Sequence, residues 1–242
     1  TRHAARLAGL WVDNDPGCRQ VADGRVKGVH FLMKKNKITE YDGRGVFKDA
    51  HTMEVTLSDG KTEELTFENA IIATGAAVKL LPGVKLSENV VTYETQILSR
   101  DLPAKLVIVG AGAIGMEFGY VLRSYGVDVS IIEFMDRALP NEDPDVSKEI
   151  TKQYKKLGIP IHTSAKVETV TDNGSSVTVT YTDKDGNAQS VDADRVMMSV
   201  GFAPRLDGFG LESTGVEVTE RGAIAIDDYM RTSVPNLFAI GD

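Results

Sequence analysis

The run Gly110-Ala-Gly112-Ala-Ile-Gly115 constrains this chain more than any other feature. Four apolar residues, Leu106-Val-Ile-Val109, precede it and read as a strand buried on both faces. After it, Ile114, Phe118, Val121, Leu122 and Tyr125 recur at helical spacing, and Val127 to Ile132 reads as a second strand ending at Glu133. Strand, glycine-rich turn, helix and strand in that order specify an α/β unit built on a parallel sheet. Gly110 permits the tight turn, Gly112 leaves room for a pyrophosphate beside the backbone, and Gly115 lets helix and strand pack closely. With Ala111, Ala113 and Ile114 between them, these residues offer free N–H groups and the positive end of a helix dipole to a phosphate.

Glu133 lies eighteen residues past Gly115. A carboxylate at the end of the second strand accepts hydrogen bonds from adenosine ribose hydroxyls and repels a 2′-phosphate, so the pattern favours NAD over NADP. Arg137 is the nearest cation that would serve a 2′-phosphate, but it lies four residues further on. The plain alternatives are a glycine-rich turn without a ligand and an exposed strand-end carboxylate.

A second helix has Asp143 as N-cap, Pro144 in its first turn and Gly158 past its end, with Val146, Ile150, Tyr154 and Leu157 as its expected inward face. The period then switches to two. Lys166 to Thr171, Ser176 to Thr182 and Ala188 to Ala193 read as a β-meander joined by turns at Asn173-Gly174 and Asp183 to Asn187. Arg195 to Val200 reads as a last buried strand before Gly201. Upstream, Gln20 to Lys35 reads as a helix with Val21, Val26, Val29 and Met33 on one face. Strands are expected at Thr52 to Leu57, at Leu65 to Phe67, and at Ala70 to Ala73, the last buried on both faces and ending at Thr74-Gly75. From Ala76 to Leu102 the pattern fades into a crossover broken by Pro82-Gly83 and Pro103.

Composition excludes several functions. Lys and Arg total 27 against 35 Asp and Glu, a formal charge of −8, which argues against a nucleic-acid partner. No apolar run approaches the ~18 residues that cross a bilayer, so no membrane partner is expected and the expected location is cytoplasmic. His3, His30, His51 and His162 have no His or Cys neighbour at ligand spacing, and no metal site is expected. Asp183-Lys-Asp185-Gly186 begins like a calcium loop, but its glycine comes too early and no glutamate closes it. The single cysteine, Cys18, excludes an internal disulfide or a redox pair within these residues and reads as an ordinary free thiol.

Val109-Gly-Ala-Gly-Ala-Ile-Gly-Met-Glu-Phe118 and Glu133-Phe-Met-Asp-Arg-Ala-Leu-Pro-Asn-Glu-Asp143 resemble the NAD domain of the FAD-dependent pyridine nucleotide–disulfide oxidoreductases, and among them the dihydrolipoamide dehydrogenases. The resemblance runs on through Gly201-Phe-Ala-Pro204, Asp227-Asp-Tyr-Met-Arg-Thr-Ser233 and Ala239-Ile-Gly-Asp242, from about Gly24 to the end. The glycine motif is common to many flavoenzymes, whereas the Arg137 to Asp143 stretch is more particular. Arg205 departs from the asparagine or threonine usual after that proline. The expected division is a Rossmann-like NAD domain with β-meander at 104–222, a partial FAD domain at 1–75 with a return segment at 223–242, and a crossover at 76–103.

The resemblance implies further cofactor contacts: Gly45 against the FAD adenine, Thr74-Gly75 closing the first part of the FAD domain, and Asp242 on the flavin ribityl chain. It also implies Val167 on the NAD adenine and Gly201 near the nicotinamide half. Without it, Gly45 reads as a turn, Val167 as core and Asp242 as a chain end. The implied reaction is reoxidation of dihydrolipoamide, carried on a domain of a 2-oxo acid dehydrogenase complex, with hydride passing through FAD to NAD⁺ in a homodimer. The family's FAD glycine motif, its Cys-x4-Cys pair and its His–Glu pair have no counterpart in these residues. No catalytic residue is therefore expected here, and the chain is expected to be an inactive piece that retains NAD binding. The Thr1 start fits a piece of a longer protein, a targeting peptide being the alternative. A related NADH-dependent flavoenzyme of the NADH oxidase or ferredoxin reductase type stays open, as does a non-enzymatic nucleotide-binding module.

Overall fold

The computed structural model describes residues 15–99 and 101–242, and side-chain surroundings from Gln20 onward. The expectations for the N-terminal segment with His3, and for the Cys18 side chain, lie outside the described residues. In chain order the elements are helix α1 (Asp15–Lys35), strands β1 (Gly43–Phe47), β2 (Thr52–Leu57), β3 (Thr62–Thr66), β4 (Ala70–Ile72), β5 (Ala76–Val78) and β6 (Val90–Thr92), and helix α2 (Tyr93–Leu98). There follow β7 (Lys105–Val109), α3 (Ala113–Ser124), β8 (Asp128–Ile132), α4 (Pro144–Lys156), β9 (Ile161–His162), β10 (Lys166–Asp172), β11 (Val177–Thr182) and β12 (Ala188–Ala193). The chain closes with β13 (Arg195–Met198), β14 (Phe202–Pro204), a 3-10 turn (Leu211–Ser213) and β15 (Leu237–Ala239). Two compact units result, one containing Val78–Gly201 and the other Gln20–Ala77 with Phe202–Asp242.

In the first unit a parallel sheet has the order β6-β13-β7-β8-β9. Alternation along the strands divides the side chains cleanly. Leu106, Ile108, Val129, Ile131 and Met197 point to one face, where they pack with Met116, Leu122 and Tyr154 of α3 and α4. Val107, Val109, Ile132, Val196 and Met198 point to the other, where Val177, Val179 and Tyr181 of the antiparallel meander β10-β11-β12 cover them. The layers are therefore helices, parallel sheet and meander. Because β13 returns beside β7 on the side away from β8, the strand order reverses between β7 and β13. Open α/β sheets bind ligands at such a switch point, beyond the C-terminal ends of the strands.

Several elements differ from the sequence expectation. The stretch expected as a crossover holds β6 and α2, since Val90 to Thr92 pairs with Val196 to Met198. Three residues are too few to show a period, and only the partner strand makes them a strand. This unit also closes at Gly201, short of the expected 222. Helix α3 turns Gly115, Met116, Gly119 and Leu122 inward, with Val121 exposed, because two glycines bring its axis close to the sheet. Helix α4 buries Ser147 and Tyr154, while Val146 and Leu157 are exposed. Its N-cap is as expected, with Asp143 accepting from Asp145 N at 2.8 Å. The Tyr154 hydroxyl donates to Met116 O at 2.5 Å, and burial pushes its pKa up to about 12.

In the second unit, Phe47, Ile72, Leu211, Leu237 and Ala239 form a small core that Phe67 meets edge-on, its ring 6.0 Å from that of Phe47. Strand β1, missed because Gly43 and Gly45 depress the apolar signal, pairs antiparallel with β2. Strand β3 lies at Thr62–Thr66, earlier than Leu65 to Phe67. Strand β4 pairs parallel with β15, but Ile71 is 64% exposed, so β4 is covered on one face only. Helix α1 forms as expected, and its valines Val21, Val26 and Val29 are exposed. The aspartate run read against calcium is a hairpin turn, with Asp183 accepting from Asp185 N at 3.0 Å and Asn187 N at 2.9 Å.

Candidate nucleotide-binding site

Gly110 leaves β7 with φ +108, and its N–H donates to Ile132 O at 2.8 Å, which binds the loop to the end of β8. A Cβ there would stand 2.3 Å from Ser199 O, a carbonyl of the segment leaving β13. At Gly115 a Cβ would stand 2.1 Å from Gly110 O, so the turn and the first turn of α3 meet backbone to backbone. Gly112 is different. It is the N-cap of α3 with an ordinary φ of −73 and no side-chain capping bond, and nothing lies within 4 Å of its Cβ position.

The first bond of the helix is Met116 N to Gly112 O at 3.0 Å. The N–H groups of Ala113, Ile114 and Gly115 precede it and have no intrahelical acceptor. An uncapped helix start facing open space fits the phosphates of a dinucleotide.

Glu133 is 7% exposed, which overturns the alternative of an exposed strand-end carboxylate. Its Oε2 accepts from Ala111 N at 2.6 Å and its Oε1 from Met135 N at 2.7 Å. The segment after it folds back on the glycine loop, where Leu139 N donates to Ala111 O at 2.8 Å. Leu139 has a φ of +49 and Ala138 is fully buried. Arg137, weighed above as a 2′-phosphate ligand, is turned to its own loop, with Nη2 donating to Pro140 O at 2.8 Å. The sequence did not show this fold-back. The apolar pair Ala138-Leu139 before Pro140 was the one available signal.

Gly201, with φ +108 and open space at its Cβ position, follows Ser199, whose N–H donates to Val109 O at 2.8 Å. Gly110 and Gly201 thus lie on the same C-terminal edge of the sheet. Val167 pairs with Tyr181 and packs half-buried on the core between sheet and meander. A cavity of about 230 Å³ lies on that meander face of the sheet, lined by Lys105, Asp128, Ile132, His162 and Tyr181 among others.

In the second unit, Thr74-Gly75 and Gly241-Asp242 leave the C-terminal ends of the paired strands β4 and β15, where Ile240 N donates to Ile72 O at 3.0 Å. Gly75 has φ +71 and accepts from Arg205 N at 2.9 Å. Gly45 sits within β1 opposite Val55, so the reading of it as a turn does not hold. Its Cβ position is covered by the Met53 sulfur at 2.7 Å.

Residues 2–242 match the family of pyridine nucleotide-disulphide oxidoreductases. The chain belongs to that family. Oxidoreductases of this family use FAD and NAD(H). A dihydrolipoyl dehydrogenase of Mycobacterium tuberculosis is 64% identical over 224 residues, which are 93% of this chain and 48% of that protein. A dihydrolipoyl dehydrogenase of Bacillus subtilis is 39% identical over 89% of this chain and 46% of its own length. The chain therefore spans about half the length of the curated relatives it matches. Among solved structures, LpdA of Mycobacterium tuberculosis aligns with a TM-score of 0.85 at 25% identity, covering 96% of this chain and 51% of that one. The Cu(II) complex of the Escherichia coli HOCl-induced flavoprotein disulfide reductase RclA aligns with a TM-score of 0.77 at 26% identity, over 98% of this chain and 55% of that one. Within this family fold, no helix among the described residues is long and apolar enough to cross a membrane.

Proposed function

We propose that this chain supplies the NAD site of a dihydrolipoamide-oxidising member of the family. The observation that carries the reading is the uncapped start of α3 over the open Gly112, with the Glu133 carboxylate at the end of the next strand. Gly110 to Gly115, through Ala111, Ala113 and Ile114, would cradle the pyrophosphate, Glu133 would receive the adenosine ribose, and Val167 and Gly201 would flank the adenine and the nicotinamide half. Thr74, Gly75, Gly45 and Asp242 would hold parts of FAD, as the strand-end placement of three of them supports. When bound, the two cofactors supply hydride transfer between dithiol and pyridine nucleotide. The residues of this chain bind and orient them.

The names of the relatives support dihydrolipoamide as substrate. The same reading takes a carrier domain of a 2-oxo acid dehydrogenase complex as partner and a cytoplasmic homodimer as the working form, neither of which those names print. On this reading the 242 residues bind nucleotide but do not turn over dihydrolipoamide by themselves. A lipoamide assay on protein of this chain's mass is expected to give no rate above background, and measurable turnover with bound FAD would contradict that.

The cofactor choice is tested by titration with NADH and NADPH. Glu133 places a negative charge where NADPH carries its 2′-phosphate, so NADH is expected to bind at least about tenfold tighter, roughly 1.4 kcal/mol. Equal or tighter NADPH binding would remove the role given to Glu133.

A further inference from the structure

Glu133 is held by more than its place beside a ribose. Its two carboxylate oxygens each accept a backbone N–H, one from Met135 on its own segment and one from Ala111, 22 residues earlier, inside the glycine-rich loop. The other ties of that loop are backbone to backbone, Gly110 N to Ile132 O and Leu139 N to Ala111 O, both at 2.8 Å. The Arg137 guanidinium donates to Pro140 O. A buried carboxylate is costly unless hydrogen-bonded, and two N–H donors with a charged acceptor form bonds of the stronger class.

We propose that Glu133 is the positioning residue of the phosphate cradle: its carboxylate fixes the Ala111 N–H to the end of β8, so the group that would meet the ribose also sets the loop that would meet the phosphates. The proposal rests on the nucleotide reading above and goes beyond it. Each carboxylate oxygen has a second lone pair, so a ribose hydroxyl adds to the Ala111 bond without breaking it. Replacing Glu133 therefore perturbs phosphate binding even for a ligand that has no ribose hydroxyls. It follows that exchanging this one residue would not yield an NADP site, since the loop loses its anchor together with the repelling charge.

The test uses the full 242-residue chain, as wild type, E133Q and E133A, titrated with ADP and with 2′,3′-dideoxy-ADP. Hydrogen exchange is followed at individual amides without nucleotide. Dideoxy-ADP is expected to bind E133A about five- to tenfold more weakly than wild type, with E133Q between them because its amide oxygen keeps one acceptor. Exchange at the Ala111 N–H is expected to speed at least about tenfold in E133A, while the buried Ile108 N–H of β7 keeps its wild-type rate, which separates a local loop effect from loss of fold. Equal dideoxy-ADP binding by all three proteins overturns the proposal, whatever the exchange rates. Failure of wild type to bind ADP at all overturns the nucleotide reading instead, and an unchanged Ala111 rate in both variants then overturns the tie as well.

Discussion

Gly115→Ala is expected to destabilise the unit that contains Val78–Gly201 by about 3 kcal/mol, at the upper end of what overpacking a core costs. The added methyl would stand 2.1 Å from Gly110 O and 3.3 Å from Ile108 Cγ2. A flexible side chain would move aside; a carbonyl cannot. Gly110 is itself pinned, by its bond to Ile132 O and by a φ of +108 that places its hydrogen against Ser199 O. Relief must come from α3 backing off the sheet, which uncovers Met116 and Leu122 in the core. Gly119→Ala on the same face meets side-chain atoms alone, the nearest being the Ile131 Cδ1 end at 3.1 Å, which yields, and should cost about 1 kcal/mol or less. Denaturant unfolding of the two variants checks the ordering. A Gly115→Ala loss no larger than that of Gly119→Ala would mean that the close helix–strand approach is not what Gly115 provides.

The contrast between these glycines shows what a sequence makes legible. The spacing of Gly110, Gly112 and Gly115 encodes backbone geometry within six residues, and the structure has that geometry: one positive φ, one open N-cap and one backbone-to-backbone approach. The N-cap of α4 at Asp143 was readable for the same reason. Features that depend on distant partners were not. Strand β6 is three residues that exist because β13 lies beside them. The inward face of α4 holds Ser147, whose hydroxyl reaches Leu139 O at 3.2 Å, so ranking by hydrophobicity selected the exposed Val146 and Leu157 instead. The tie from Glu133 to Ala111 spans 22 residues and joins a side chain to a backbone N–H, a pairing with no local pattern. For Gly45 the polypeptide pattern suggested a turn, whereas ladder pairing with Val55 makes it part of a strand.

Gly112→Ala should do the opposite of Gly115→Ala: it is expected to weaken NADH binding about 30- to 100-fold, roughly 2–3 kcal/mol, and leave the fold almost untouched. Gly112 has φ −73 and ψ −179, an extended conformation open to any residue, and no atom lies within 4 Å of the added methyl. Gly is a better N-cap than Ala, which accounts for a loss of stability of at most about 1 kcal/mol. The methyl is instead expected to crowd a pyrophosphate that closes on the Ala113, Ile114 and Gly115 amides. Those amides have no other acceptor within the helix, and a pyrophosphate reaches them only by closing on the backbone. The measurement pairs NADH titration with denaturant unfolding on one protein sample. Binding lost while stability is kept places the phosphates over Gly112. Unchanged binding would move them elsewhere, and the assignment of Gly110 to Gly115 as a cradle would go with them.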